Sequence, residues 1–309
     1  MWLAADIGGT KLAAAGFDGQ HLLGETSVPT NAGAGEADVI RRLLQLLERV
    51  CRTAGIDTPE GIGLACPGPL SVARGTVIHA PCLGWREVPI ARIVAEHFHC
   101  PVRLENDANA AALGEYCFGA GQGAGSLAYI TVSTGVGCGL IIDGRLLAGA
   151  HESAGELGHV VIRRGGKKCA CGRHGCLERY ASGTAIGEAA RKILRARSES
   201  DRGITAREAA RMAYEGDGEM RDVFAQAGRA LGQGIAALLQ LIDVERVVIG
   251  GSVAQSLDLM EPAIRAVVAA ESYWGSPEED WLRRARLGGA SGLYGAGALI
   301  SQTKGEEVK

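Results

Sequence analysis

The apolar residues of this chain fall into short runs cut by glycine and into longer stretches with helical spacing. The run "WLAADIGG" ends in Asp6 and a glycine pair, and "TKLAAAGFD" follows as a second short run closed by "DGQ". Runs of that length bounded by turn residues predict two strands joined by a glycine turn, not a strand feeding a helix. The same order returns about 125 residues later. Leu127–Val132 is an apolar run, Ser133–Gly137 a polar glycine turn and Cys138–Ile142 a second run. Asp143-Gly144 then marks a tight hairpin before a third run. Two copies of strand, glycine turn and strand predict two related α/β domains facing each other.

Residues 37–54 place Val39, Ile40, Leu43, Leu44, Leu47 and Val50 on one helical face, with Gly55 as a stop. Thr205 and Glu208 have capping-box spacing and predict a helix start. Residues 229–242 predict a largely apolar helix running into the strand "RVVIGG", and "RLENDANAAALGE" a short strand turning into an alanine-rich helix. This alternation predicts an α/β architecture. "RARSESDRG" reads as an exposed loop and "KGEEVK" as a frayed tail.

Composition narrows the partners. A chain of 309 residues, 47% hydrophobic, can bury the core of one or two domains. Its 32 basic and 35 acidic residues leave a net charge of -3, so neither nucleic acid nor an anionic membrane is the expected partner. The N-terminal residues lack a basic, cleavable leader pattern and no apolar run is long enough to span a bilayer. The expectation is a soluble cytoplasmic protein. Of nine cysteines, Cys51, Cys66, Cys82, Cys100, Cys117 and Cys138 are scattered, as small buried hydrophobes would be. A disulfide framework is not expected in that compartment.

Three glycine turns follow apolar strands: Gly8-Gly9-Thr10-Lys11, Ser133-Thr134-Gly135-Val136-Gly137 and Gly250-Gly251-Ser252. Successive backbone N–H groups in such turns form anion-binding concavities. One turn alone is more often a plain hairpin; three with hydroxyls and a lysine beside them point to a nucleotide cleft. Asp6 could hold Mg²⁺ there through water, or simply cap its own turn. Position alone leaves both open.

His159, Cys169, Cys171 and Cys176 have the spacing H-x9-C-x-C-x4-C. Four such ligands suit tetrahedral zinc, and a closed Cys₃His set leaves no position for a catalytic water. Cys169 and Cys171 are too close for an easy disulfide, which disfavours a redox centre. Lys167, Lys168 and Arg173 would offset the thiolate charge, and His174 is a rival ligand.

"DIGGTK", "TVSTGVGCGLI" and "VVIGGSV" are similar to the phosphate and adenosine motifs of the actin-like ATPase superfamily. Within it the chain resembles the ROK family (repressors, open reading frames and sugar kinases), and there its bacterial glucokinases, from about Leu3 to Leu299. The resemblance implies two actin-like (ribonuclease H-like) domains with a nucleotide and sugar cleft between them. The small domain would be 1–117, with 296–309 returning to it, and the large domain 118–295, carrying the zinc loop. It implies ATP-dependent phosphorylation of the 6-hydroxyl of glucose, with Mg²⁺ and the three glycine turns holding ATP and with a homodimer as the assembly.

Residue roles come from the same resemblance. In "NDAN", Asp107 would be the general base and Asn106 a sugar ligand, although either could serve merely as the helix N-cap. Glu156, His159 and Glu178 would contact the sugar, with Gly68 of "ACPGPL" in a loop lining the pocket. A histidine among apolar residues is otherwise an ordinary core residue. The signature "CxCGxxGCxE" makes the zinc site structural and excludes His174. One position departs: Cys82, in "APCLGW", stands where many members carry asparagine, although Gly84 and Trp85 still match. A thiol cannot replace the hydrogen bonding of an amide.

That departure keeps N-acetylglucosamine, N-acetylmannosamine and fructose as alternative acceptors. A non-catalytic sugar-sensing repressor would need a helix-turn-helix ahead of this part, and five residues before Asp6 leave no room for one. A zinc hydrolase is disfavoured by the closed ligand set.

Overall fold

The computed structural model describes residues 1–19, 21–273, 275, 277 and 280–306. Two sheets of the same topology frame it. In the first, β1 (Trp2–Ile7) pairs antiparallel with β2 (Lys11–Asp18), and β2 with β3 (His21–Pro29). On its other side β1 pairs in parallel with β4 (Ile62–Cys66). A small sheet of β5 (Leu70–Ser71), β6 (Thr76–Ala80) and β7 (Trp85–Val88) comes next, and β8 (Val102–Asn106) then joins the first sheet beside β4.

In the second sheet β9 (Leu127–Val132) pairs antiparallel with β10 (Val136–Ile142), and β10 with β11 (Arg145–Leu146). The parallel partners are β12 (Arg246–Gly250) and β13 (Leu282–Arg284). The strand orders β3-β2-β1-β4-β8 and β11-β10-β9-β12-β13 correspond strand for strand. The repeated sequence pattern is therefore a repeated fold unit. The third apolar run after Asp143-Gly144 gives only the two residues of β11.

Helices cover the outer faces. α1 (Glu36–Ala54) buries Val39, Leu43, Leu47 and Val50 against Leu3, Ile7, Leu12, Ile62 and Leu64, and stops at Gly55 with φ of 66°. α2 (Ile90–Phe98) adds Ile90 and Val94 to the same cluster.

α3 (Asp107–Phe118) is buried on every side from Ala108 to Glu115, which is why alanine and glycine fill it. On the second sheet, α4 (Glu178–Ala181), α5 (Gly183–Ala196), α6 (Ala206–Tyr214), α7 (Gly218–Ile242) and α8 (Glu261–Glu271) build the larger core. α7 starts at Gly218, well before residue 229: polar positions dilute its first turns, yet Met220, Val223, Phe224 and Ala227 keep the buried period.

α9 (Ser291–Glu306) crosses α3 between the two sheets, packing on β1 and β4 while α3 packs on β9 and β10. A Cβ on Gly295 would overlap the Ala110 carbonyl oxygen, and one on Gly114 that of Ser291. The two helices thus meet at backbone contact. Of the tail "KGEEVK", the first three residues belong to α9 and 307–309 lie outside the described residues. Among the described residues no helix is long and apolar enough to cross a membrane.

Candidate active site

A cleft of 1610 Å³ opens between the two sheets, lined by Asp6, Gly8, Asp107, Ser133, Thr134, Gly251 and Ser252 among others. All three predicted glycine turns reach it. Gly9, Thr10, Lys11, Gly135, Gly137 and Gly250 are not among the residues lining it: Gly9 backs onto Cys82, Gly137 onto Thr131 and Ala108, and Gly250 onto the ring of Tyr129.

Backbone and hydroxyl bonds preset each turn. The Gly8 N–H donates to the Lys11 carbonyl at 3.0 Å, and the Thr30 N–H to the Thr10 carbonyl at 3.0 Å. In the second turn Ser133 N–H donates to Gly135 at 2.9 Å, while Gly183 N–H reaches the Ser133 carbonyl at 2.7 Å. The Ser133 and Ser252 hydroxyls lie 3.3 Å apart, tying the second turn to the third. Gly251 has φ of 83°, and a Cβ there would overlap the Val132 carbonyl oxygen, so both conformation and space demand glycine.

The fold adds a fourth turn that the chain's local pattern does not single out. Gly288, Gly289, Ser291 and Gly292 line the cleft at the start of α9. Fully buried Glu115 fixes them, accepting from the N–H groups of Ala120 (2.8 Å), Arg286 (3.0 Å) and Leu287 (2.9 Å) and from the Ser291 hydroxyl (2.7 Å). Arg191, Arg207, Arg211 and Tyr214, from α5 and α6, form the far wall. The doubled glycine of "RLGGASG" was the available signal for the turn; the arginines had none.

Next to cleft-lining Asp107 and Ala108, and not itself among the lining residues, Asn106 is the N-cap of α3: its Oδ1 accepts from the N–H of Ala108 at 2.9 Å and of Asn109 at 3.4 Å. Asp107 is the first helical residue, and its Oδ1 also accepts from Ala108 N–H at 2.9 Å. Burial, with a contribution from Glu156, pushes the Asp107 carboxyl above the usual carboxylate range. Asp6 is pushed up to about 6 by burial and then by Asp107, with Lys11 acting in the opposite sense. Two carboxylates lining one cleft and repelling each other's charge favour a cation beside them, and their oxygen donors suit Mg²⁺.

Cys82 lies against the first glycine turn, its Sγ 3.3 Å from where a Gly9 Cβ would stand. Gly68 packs on Leu70, 2.7 Å from Cδ2 to a would-be Cβ, and is not among the residues lining the cleft.

The ligand atoms of His159, Cys169, Cys171 and Cys176 all lie within 4.8 Å of one another. His159 Nδ1 is 3.8 Å from Cys169 Sγ, and Cys171 Sγ is 3.6 Å from Cys176 Sγ. A tetrahedron with zinc–sulfur bonds of about 2.3 Å has edges of about 3.8 Å, so these two separations match zinc and the wider ones need only small side-chain shifts. His174 stands outside this group, its backbone paired with Lys168. The other ring nitrogen of His159, Nε2, is 4.0 Å from Glu156 Oε2. Glu178 Oε2 accepts from the Val136 N–H at 3.1 Å, so that carboxylate touches the second glycine turn.

The ROK family matches residues 2–303. The glucokinase of Halalkalibacterium halodurans is 33% identical over 322 residues, covering 100% of this chain and 97% of that protein. A solved ROK hexokinase from Thermus thermophilus is 39% identical with a TM-score of 0.84, covering 98% of this chain and 99% of that one. A ROK family glucokinase from Streptomyces griseus, solved with glucose and AMPPNP, is 32% identical with a TM-score of 0.83, covering 97% and 99%. The xylose repressor of Caldicellulosiruptor bescii is 34% identical over 78% of this chain but 63% of its own length. With two sheets of actin-like topology, a cleft walled by glycine turns and a match along nearly its full length, this chain belongs to the ROK family.

Proposed function

We propose that this chain is an ATP-dependent sugar kinase that transfers the γ-phosphoryl group of ATP to the 6-hydroxyl of glucose, with Asp107 as general base. The observation that carries the reading is the position of Asp107: it is the first residue of α3 and lines the same cleft as the glycine turns. Burial raises its proton affinity above that of a solvated carboxylate, which suits removal of a hydroxyl proton as the oxygen attacks phosphorus. Asn106 holds the helix end, so the base is aimed by a cap rather than by a flexible loop.

The N–H groups and hydroxyls of the turns around Gly8, Ser133, Thr134, Gly251 and Ser252 would hold the phosphates. Mg²⁺, held by Asp6 through water, would supply charge neutralisation when bound. His159, Cys169, Cys171 and Cys176 would hold zinc as a structural clip, whose closed set offers no site for chemistry. His159 would use Nδ1 for the metal and turn Nε2, with Glu156, Asn106 and Glu178, towards the sugar. Gly68 would shape the neighbouring loop from behind. The parts on either side of the α3–α9 crossing, 1–117 with 296–309 and 118–295, would close on the substrates and exclude water.

A second reading keeps the mechanism and changes the acceptor to N-acetylglucosamine, N-acetylmannosamine or fructose; Cys82 beside Gly9 is the observation that favours it. The test is coupled ADP release with ATP and Mg²⁺ on glucose, N-acetylglucosamine, N-acetylmannosamine, mannose and fructose. Turnover on glucose supports the first reading, and turnover only on another sugar the second. No turnover on any of them contradicts both.

A further inference from the structure

Glu152 ties the half of the molecule built on the second sheet to the half built on the first. Its Oε2 accepts from the Val72 N–H at 3.0 Å and its Oε1 from the Ala73 N–H at 3.1 Å. The donors sit in the β5–β6 turn of the first half; the acceptor lies in the loop after β11 of the second. Both carboxylate oxygens are engaged, so the contact is bidentate and charge-assisted, the stronger class of hydrogen bond. Glu152 also has φ of 54°, a left-handed conformation that glutamate rarely adopts. Residues held there persist where the surrounding contacts over-determine them.

The segment beyond Glu152 gives the contact its consequence. Gly155, with φ of 84°, is wedged against β10, where a Cβ would overlap the Cys138 carbonyl oxygen. Glu156 comes next, and His159 with the metal-ligand cluster closes the segment. Residues 152–155 are thus a strap tied to the first half at one end and to β10 at the other. Glu152 is also close enough for its charge to raise the carboxyl of Glu105, after burial the main upward influence on that group. Glu105 in turn accepts from Asn106 N–H at 2.8 Å and from Asn109 Nδ2 at 3.0 Å, so the charge of Glu152 is felt in the hydrogen bonds at the start of α3.

We propose that Glu152 is a positioning residue: its clasp on Val72 and Ala73 sets the place of Glu156 and the closure of the sugar end of the cleft. The proposal rests on the sugar-kinase reading above. Among the described residues no hydrogen bond joins the glycine turns to the strap, so its loss falls on the sugar and spares the nucleotide. Sugar binding and clasp formation draw on the same closed arrangement, so each favours the other.

The test uses the full chain carrying Glu152→Ala or Glu152→Gln, the latter keeping one acceptor oxygen. The expected result is a KM for glucose raised about tenfold in the alanine variant and less in the glutamine variant, with KM for ATP unchanged. Backbone amide exchange over residues 70–75 reads the clasp without turnover. It should slow when glucose is added to the unmodified chain and quicken in Glu152→Ala. Unchanged glucose KM, or parallel losses in glucose KM, ATP KM and thermal stability, would overturn the proposal. Failure of the kinase reading shows separately, as absent turnover in the unmodified chain.

Discussion

Glu178 Oε2 lies 3.1 Å from the Val136 nitrogen, so the carboxylate two residues after Cys176 holds the glycine turn at the start of β10. A Cβ on Gly135 would overlap the same oxygen. The loop of the cysteine cluster and the second glycine turn therefore share one anchor. Glu178→Ala should raise KM for both sugar and ATP by about tenfold or more, the worth of a hydrogen bond to a charged group. Steady-state kinetics with each substrate varied would check it; an effect on sugar alone would show that the turn holds its shape unaided.

Removing the metal should act through the same anchor. Chelation with a thiol-competing reagent should release one zinc per chain, lower the melting temperature and reduce kcat/KM for sugar at least about tenfold, because structural zinc contributes folding energy directly. Added zinc should restore activity where added Mg²⁺ does not. Full activity in metal-free protein would contradict the structural role.

The raised Asp107 carboxyl fixes the sign of the pH dependence. Folding favours its protonated form, so the stability it contributes is fully present below the unfolded carboxylate value and is lost as pH rises through the higher folded value. Catalysis runs the opposite way, since the base must be ionised. The logarithm of kcat/KM should fall with unit slope as pH drops through a midpoint above the ordinary aspartate range. A midpoint at or below that range would show that Asp107 is not the titrating base.

Glu115 carries the fourth glycine turn, and its loss should be felt there. Glu115→Ala leaves the donors of Ala120, Arg286, Leu287 and Ser291 without their acceptor in a buried setting. Roughly 3 kcal/mol or more of stability should be lost, by urea denaturation. KM for ATP should rise as the Gly288–Gly292 segment loosens.

What the sequence disclosed was local. The β1–β2 and β9–β10 hairpins, the α1 stop at Gly55 and the cysteine spacing are all set by neighbours in the chain. The capping box formed as its spacing predicts, with Thr205 N–H donating to Glu208 at 3.1 Å. The hidden features depend on distant partners. Glu115 reads as an ordinary helical glutamate until α9 is folded over it. Arg207 and Arg211 carry no motif in the sequence, and only the fold brings them to the cleft wall. The fourth glycine turn comes after β13, a strand of three residues with two arginines, too short to announce a strand and turn. Cys82 was legible as a departure from the family pattern, but only the fold shows it packed on Gly9.

The most direct measurement is ADP release with glucose, ATP and Mg²⁺ by the unmodified chain and by Asp107→Asn, with glucose binding measured on both. The account expects kcat to fall by about 10² to 10⁴ in the variant, the span of general-base catalysis, with glucose still bound. Turnover undiminished in Asp107→Asn would contradict it.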